Sequence, residues 1–193
     1  MSFDPAAFRH QIRAILDGHA RAFDVPQERH ALLRRQIANG HDLHSRGTLP
    51  GHVTTSAFIL DQTGERILLI HHRSLGRWLQ PGGHYEPPED LAGSALREAI
   101  EETGLHGLVI DPWHTRSGLP VDIDSHRIPA RSERGEPEHW HHDFRYVLRA
   151  EDGDVLRPDL REVHGAAWRD LHDLGGIAPQ ALRNMRELGL VRP

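Results

Sequence analysis

The sequence contains no cysteine, no lysine and no apolar run long enough to cross a bilayer. The absence of cysteine excludes disulfide scaffolds, cysteine-ligated zinc or iron–sulfur centres and cysteine nucleophiles. The absence of lysine excludes Schiff-base chemistry and a Walker-type lysine, and every basic residue is therefore arginine. The N-terminus, Met1 to Pro5, lacks the basic start and apolar run of a secretory signal, so we expect a cytoplasmic protein that does not bind a membrane.

The charge balance and the length limit the class of protein further. The 28 acidic and 23 basic residues give a net charge of -5, which argues against a general nucleic-acid-binding protein. A chain of 193 residues suits one domain with a short extension. We predict a helical N-terminal extension over residues 1–48 and a single domain over residues 49–193.

The pattern of apolar residues predicts alternating helices and strands. Asp4-Pro5 can cap a helix whose apolar residues recur at helical spacing, and a second helix is expected from Pro26 to Asn39. We also expect helices over 89–103 and 179–188, and strands over 53–60, 67–70, 108–110, 121–128, 140–148 and 163–168. Strands on both sides of one central helix predict an α/β or α+β sandwich in which helices cover a sheet.

The segment from Gly82 to Leu105 carries the chemistry. Glu98, Glu101 and Glu102 stand at i, i+3 and i+4, which places three carboxylates on one helix face. Like charges at that spacing destabilise a helix, and a bound divalent cation would offset the repulsion. Oxygen ligands favour magnesium, with manganese as an alternative. The Gly82-Gly83 turn can bring bare backbone close to the ion or to a phosphate.

A solvated acidic helix face is the alternative interpretation of three glutamates alone. The spacing is more particular than that: Gly83, five residues, Glu89, seven residues, then Arg97-Glu98-Ala99, one residue, Glu101-Glu102, one residue, Gly104-Leu105. This pattern resembles the complete motif of the Nudix hydrolase family. The resemblance continues in the segment 73–86 and in the later residues Glu162 and Trp168.

The resemblance implies an α/β/α sandwich with a mixed sheet, and the hydrolysis of a nucleoside diphosphate linked to another moiety. It implies that Glu98 and Glu102 ligate the metal and that Glu101 ligates a second ion, acts through water or serves as a base. Arg97 would orient the carboxylates, Glu89 would complete the metal cluster or pair with Arg97, and the Gly82 carbonyl would offer a further ligand. The family's common state also implies a possible homodimer.

Two roles have several candidates. The general base is either Glu98 or a glutamate on a separate loop, which leaves Glu133, Glu136, Glu138 and Glu162 open. The residues expected to contact substrate are two arginines, one tryptophan that can stack on a base and two histidines, namely Arg73, Arg77, Trp78, His84 and His142. Pro120 lies 16 residues after Gly104, near the place where the ADP-ribose-hydrolysing branch of the Nudix family tends to carry a proline, and this resemblance implies a weak preference for ADP-ribose or a nucleotide sugar.

Alternative functions follow from other features. The run 138–143 contains His139, His141 and His142, of which His139 and His141 would share one face of a strand. A dedicated transition-metal site needs a third ligand such as His84 or His126, and it would make the protein a histidine-ligated metalloenzyme. A nucleotide-binding sensor without turnover is a further alternative, although the retained carboxylates argue against it. An isomerase of the isopentenyl diphosphate type relies on a cysteine, which is absent.

Overall fold

A computed structural model of the chain describes residues 3–132, 135–151 and 153–192. In these residues the helices are α1 (Pro5–Ala22), α2 (Ala31–Ala38), α3 (Leu91–Thr103), α4 (Pro112–Ser117) and α5 (Pro179–Glu187), with 3₁₀ turns at Gln27–His30 and Leu171–Gly176. The strands are β1 (Gly51–Leu60), β2 (Arg66–His72), β3 (Arg77–Leu79), β4 (Gly82–His84), β5 (Leu108–Ile110), β6 (Asp122–Ile128), β7 (His139–Ala150) and β8 (Val163–Asp170).

The sheet is built around a parallel pair of strands. β1 and β7 run side by side from Gly51 opposite Trp140 to Leu60 opposite Arg149, and β1 is buried along its whole length. The other strands pair antiparallel: β2 and β4 with β1, β3 and β8 with β2, and β5 and β6 with β7. The prediction of a mixed sheet is therefore confirmed.

Helices cover both faces of this sheet. Side chains alternate between the two faces along each strand, so each face carries its own set of apolar residues for a helix to pack against. On one face the odd-numbered residues of β1, such as Val53 and Ile59, pack with α3 and with the N-terminal helices. On the other face Phe58 and Leu60 pack with α5 through Leu182 and neighbouring residues. The predicted sandwich is thus two apolar cores separated by one sheet.

The N-terminal helices share the first of these cores. Phe8 and Leu16 of α1 and Leu33 of α2 are buried in the cluster that also contains Leu91 of α3. In addition, the Gln36 side chain donates a 2.7 Å hydrogen bond to the carbonyl of Gly51 at the start of β1. The division of the chain at residue 48 stays a prediction, and the two parts are packed together.

The short elements depart from the predicted ones. α3 begins at Leu91 instead of residue 89, because Asp90 caps it by accepting a hydrogen bond from the Gly93 amide. The three-residue strands β3 and β4 and the six-residue helix α4 were not predicted, since they are too short to show a periodic pattern. In the described ranges, no helix has the length and apolar character needed to cross a membrane.

Candidate active site

Helix α3 presents its carboxylates in two different environments. Gly104 ends the helix in the left-handed conformation, with φ of 69°, so the three glutamates lie in its last two turns. Glu102 is only 3% exposed, and the side chain of Glu98 is 13% exposed. The side chain of Glu101 is 57% exposed. Glu98 and Glu102 therefore face the sheet, whereas Glu101 lies at the rim.

The glycine pair of β4 lies directly against the two buried carboxylates. The Gly82 amide donates a 2.9 Å hydrogen bond to Oε2 of Glu102. A side chain on Gly83 would overlap the Glu98 carboxylate, and one on Gly82 would overlap Ser56 and the carbonyl of Thr55. Close approach to the backbone therefore requires glycine at position 82, whereas a side chain at position 83 would displace the Glu98 carboxylate.

Burial makes these two carboxylates hard to ionise when no cation is near. It raises the pKa of Glu98 to about 7, with Glu101 and Glu162 acting in the same direction and Arg97 opposing. Burial likewise raises the pKa of Glu102 to about 8, again with Glu98 and Glu162 adding and the Gly82 amide opposing. Such a cluster of oxygen donors, buried and mutually repelling, fits a divalent cation.

Arg97 holds the acidic cluster together. Its guanidinium lies 3.1 Å from Glu89, 2.9 Å from Glu98 and 3.1 Å from Glu101. It also donates a 3.1 Å hydrogen bond to the carbonyl of His84. Because one planar group contacts three carboxylates and β4 together, Arg97 fixes α3 relative to the strand that carries Gly82 and Gly83.

Glu162 is the loop glutamate whose charge acts on the buried pair. It precedes β8 and contributes to the raised pKa values of both Glu98 and Glu102. The loop is held by Arg73, whose amide donates to the Glu162 carbonyl at 3.0 Å and whose guanidinium donates to the Leu160 carbonyl at 2.6 Å. We expected Arg73 to contact substrate, and the structure shows that its hydrogen bonds position the loop that carries Glu162.

The remaining glutamates predicted as possible bases have other surroundings. Glu136 lies 3.6 Å from Arg46, and Glu138 lies 3.3 Å from Arg127. Glu133 lies outside the described residues. The geometry therefore favours Glu162 among the loop candidates.

The residues expected to contact substrate are not all brought together. Arg77 is exposed at the start of β3. The Trp78 ring lies 4.5 Å from the guanidinium carbon of Arg169 and packs beside the second core. His84 is on β4, beside the glycine pair. His142 is fully buried and lies within hydrogen-bond distance of Gln36 and Ser125, at 2.8 Å each. It points to the face opposite His141, because neighbours along a strand alternate.

A buried ion network beside the site was missed by sequence reasoning. Arg145 of β7 lies 2.9 Å from Asp143, 2.9 Å from Asp124 and 3.1 Å from Asp122, and Ser56 donates to Asp143 at 2.8 Å. The alternation of aspartates at 122 and 124 and of charged residues at 143 and 145 was the available signal, since residues two apart share a strand face. The residues of this network lie on the face of the sheet that also carries His52 and His141.

Comparisons with known proteins agree with this geometry. The model for the NUDIX domain matches residues 50–188. The chain is 30% identical over 125 residues to a probable DHNTP pyrophosphohydrolase of Lactococcus lactis subsp. cremoris, covering 65% of this chain and 71% of that protein. It is 32% identical over 125 residues to the m7GpppN-mRNA hydrolase NUDT17 of Danio rerio, covering 59% of this chain and 40% of that protein.

A solved structure, a C. elegans Ap4A hydrolase in a binary complex, superposes with a TM-score of 0.52 at 19% identity, over 72% of this chain and 97% of that chain. At this identity the likeness shows a common fold.

Proposed function

Because the chain belongs to the Nudix hydrolase family, we propose that it is a magnesium-dependent hydrolase that cleaves a pyrophosphate bond in a nucleoside diphosphate derivative. The observation that carries this proposal is the pair Glu98 and Glu102, buried against Gly82 and Gly83. A structural role alone would not favour two buried carboxylates whose neighbours raise their pKa values.

The residues that would hold the cation are Glu98, Glu102 and the carbonyl of Gly82. A divalent cation bound there, Mg²⁺ or Mn²⁺, would neutralise charge on the phosphate oxygens and acidify a water molecule. Glu89 and Glu101 pair with Arg97 and are more exposed, so we assign them the task of orienting Arg97 and Glu98.

The proton of the attacking water must pass to a carboxylate. Glu98 lies within the cluster, and Glu162 acts on the same cluster from the loop before β8. We assign the base to one of these two residues, which Glu98→Gln and Glu162→Gln distinguish. The general base is the residue whose replacement removes the rise of the rate with pH from the pH–rate profile. Glu138→Gln is the matched control, because Glu138 pairs with Arg127.

The substrate class is proposed more coarsely than the chemistry. The position of Pro120 favours ADP-ribose or a nucleotide sugar, whereas the relatives are named for a pterin triphosphate and an mRNA cap. The net charge of -5 favours a small nucleotide over a nucleic acid. The cytoplasmic location and the homodimer stay predictions.

The test is product release from a panel that contains ADP-ribose, nucleotide sugars, dinucleoside polyphosphates, nucleoside and pterin triphosphates and capped RNA. Each compound is incubated with Mg²⁺ or Mn²⁺ and with either the wild type or Glu102→Gln. We expect metal-dependent release that falls by at least about 100-fold in the variant. Binding of a nucleoside diphosphate without its consumption would contradict the hydrolase and support the sensor alternative.

A further inference from the structure

A group of histidines occupies the face of the sheet opposite the one that packs against α3. His52 of β1 lies opposite His141 of β7, and His141 in turn lies opposite His126 of β6. His84 of β4 lies opposite Thr54, two residues along from His52. Residues opposite one another share a sheet face, so these imidazoles converge from four different strands.

Three of the rings form a nearly regular triangle. The ring centroids of His52, His84 and His141 are 5.1 Å, 5.0 Å and 5.3 Å apart. One nitrogen of each ring lies within 4.8 Å of a nitrogen of the other two. Two nitrogen ligands of a tetrahedral zinc ion are about 3.3 Å apart, so the three rings would reach this geometry by moving inward by about 1 Å.

His52 has a buried polar ring that lacks a good hydrogen-bond partner. It is 1% exposed, and neither of its ring nitrogens makes a hydrogen bond of normal geometry in the described ranges, although the Thr48 backbone lies close enough to act on the ring. A buried polar group without a good partner is unfavourable, and native structures keep few of them without a reason. A bound metal ion would supply the missing contact.

The rings are in the form that binds metals. Burial lowers the pKa of His52 to about 4, with His84 and His139 adding to the effect and the Thr48 backbone opposing it. Burial also lowers the pKa of His141 to about 2, with help from the neighbouring rings. Neutral imidazoles are therefore present at neutral pH, and neutral imidazole is a common ligand of transition metals.

We propose that His52, His84 and His141 bind one transition-metal ion of the zinc type, at a site separate from the carboxylates of α3. Imidazole nitrogen suits zinc, nickel, copper and iron, whereas magnesium prefers oxygen. Three histidine ligands leave the fourth position open to water or to an anionic oxygen. His139, whose Nε2 is 3.2 Å from Nε2 of His141, is positioned to orient the His141 ring.

The site would connect the strand that supports the acidic cluster to the centre of the sheet. β4 has three residues, with Gly82 at one end and His84 at the other, and within the described residues it pairs with β1. The His84 carbonyl also accepts from Arg97. An ion held by His84, His52 and His141 would therefore restrain β4 against β1 and β7.

The experiment measures Zn²⁺ binding by metal-stripped protein that carries no histidine tag. Excess Mg²⁺ occupies the sites that are built from oxygen ligands. A chromophoric chelator competes for Zn²⁺, so that weak Zn²⁺ binding by the rest of the 17 histidines is not counted. We expect the wild type to bind one equivalent of Zn²⁺ tightly. With Co²⁺ in place of Zn²⁺ we expect a visible absorption spectrum typical of tetrahedral coordination. In His84→Asn and His141→Asn, affinity should fall by at least about 100-fold.

Two controls make the result specific. His126→Asn is the matched control variant, since His126 lies on the same face of the sheet but its Nδ1 is 3.1 Å from Asp124. This variant should still bind one equivalent of Zn²⁺ tightly. Glu102→Gln should also do so, which separates this site from the carboxylates. Circular dichroism confirms that each variant is folded. Equal Zn²⁺ affinity in the wild type, His84→Asn and His141→Asn, or the absence of a tight equivalent, would overturn the proposal and leave the hydrolase proposal untouched.

Discussion

The Gly82 amide donates a 2.9 Å hydrogen bond to the carboxylate of Glu102, which lies 20 residues later in the chain. This contact joins β4 to the last turn of α3. It places one carboxylate oxygen of Glu102 directly against the backbone of Gly82. The close approach depends on the two glycines, because a side chain at either position would collide with its surroundings.

Gly83→Ala tests this close approach. The added methyl group would overlap the Glu98 carboxylate and push it from its position, so we expect kcat to fall by about 100-fold or more. The measurement is steady-state kinetics on the substrate found with the panel. Gly47→Ala is the control, because a side chain there would have 3.7 Å to its nearest neighbour, Ser45 Oγ. Wild-type kinetics in Gly83→Ala would show that Glu98 needs no fixed position.

Arg97→Lys tests the arginine that contacts three carboxylates. Lysine keeps the charge but cannot form the forked contacts to Glu89, Glu98 and Glu101. We expect kcat to fall by about 10–100-fold and the Mg²⁺ concentration for half-maximal rate to rise. Arg192→Lys, at an exposed ion pair with Glu65, should change neither quantity. A lower kcat with an unchanged Mg²⁺ requirement would argue against a role in arranging the metal ligands.

Arg145→Met tests the buried ion network. The variant would leave Asp143 buried without its cation and Asp122 paired with Arg29 alone, which costs about 3–5 kcal/mol of unfolding free energy, or a fall in Tm of roughly 10 °C. Thermal unfolding at neutral pH provides the measurement. Arg161→Met should shift Tm by no more than about 1–2 °C, because exposed pairs contribute little. Equal Tm changes in the two variants would mean that the network adds no stability.

His30→Leu tests a buried histidine of the N-terminal segment. His30 is 1% exposed with neither ring nitrogen paired in the described ranges, and burial, followed by Arg29 and Arg34, lowers its pKa to about 4. The unfolded chain therefore binds more protons than the folded one between pH 6.5 and 4, and stability is lost as the pH falls through that window.

We expect this single histidine to account for about 2–3 kcal/mol of the loss. His30→Leu should match or exceed the wild-type Tm at pH 7 and should lose less stability at pH 4.5. The exposed residue His172 provides the control as His172→Gln, which should follow the wild-type pH profile. A His30→Leu profile parallel to that of the wild type would contradict the assignment.

The acidic helix could be predicted from the sequence because its parts are close together in the chain. Glu98, Glu101 and Glu102 are within one helical turn or so of one another, and Gly104 marks the end of that helix. What the helix pattern did not show is that Glu101 faces solvent while the other two are buried. That difference depends on which side of α3 meets β4, and it comes from tertiary packing.

The contacts that the sequence did not specify are made across the sheet or from a late loop. His52 and His141 are 89 positions apart and become neighbours through the parallel register of β1 and β7. The same register brings Ser56 to Asp143 and Arg145. Glu162 likewise reaches the acidic cluster from a late loop. Nothing local in the sequence specifies which strands pair or in which register, so these contacts required the structure.

The Gln36 side chain touches two strands at once, donating to the Gly51 carbonyl and lying 2.8 Å from Nε2 of His142. Removal of the first 48 residues would strip both strands of that amide and would uncover the apolar wall against which Phe8, Leu16 and Leu33 pack. A shortened protein that keeps the whole catalytic motif would therefore expose an apolar surface that favours aggregation. Its soluble yield on expression would fall before its catalytic activity did.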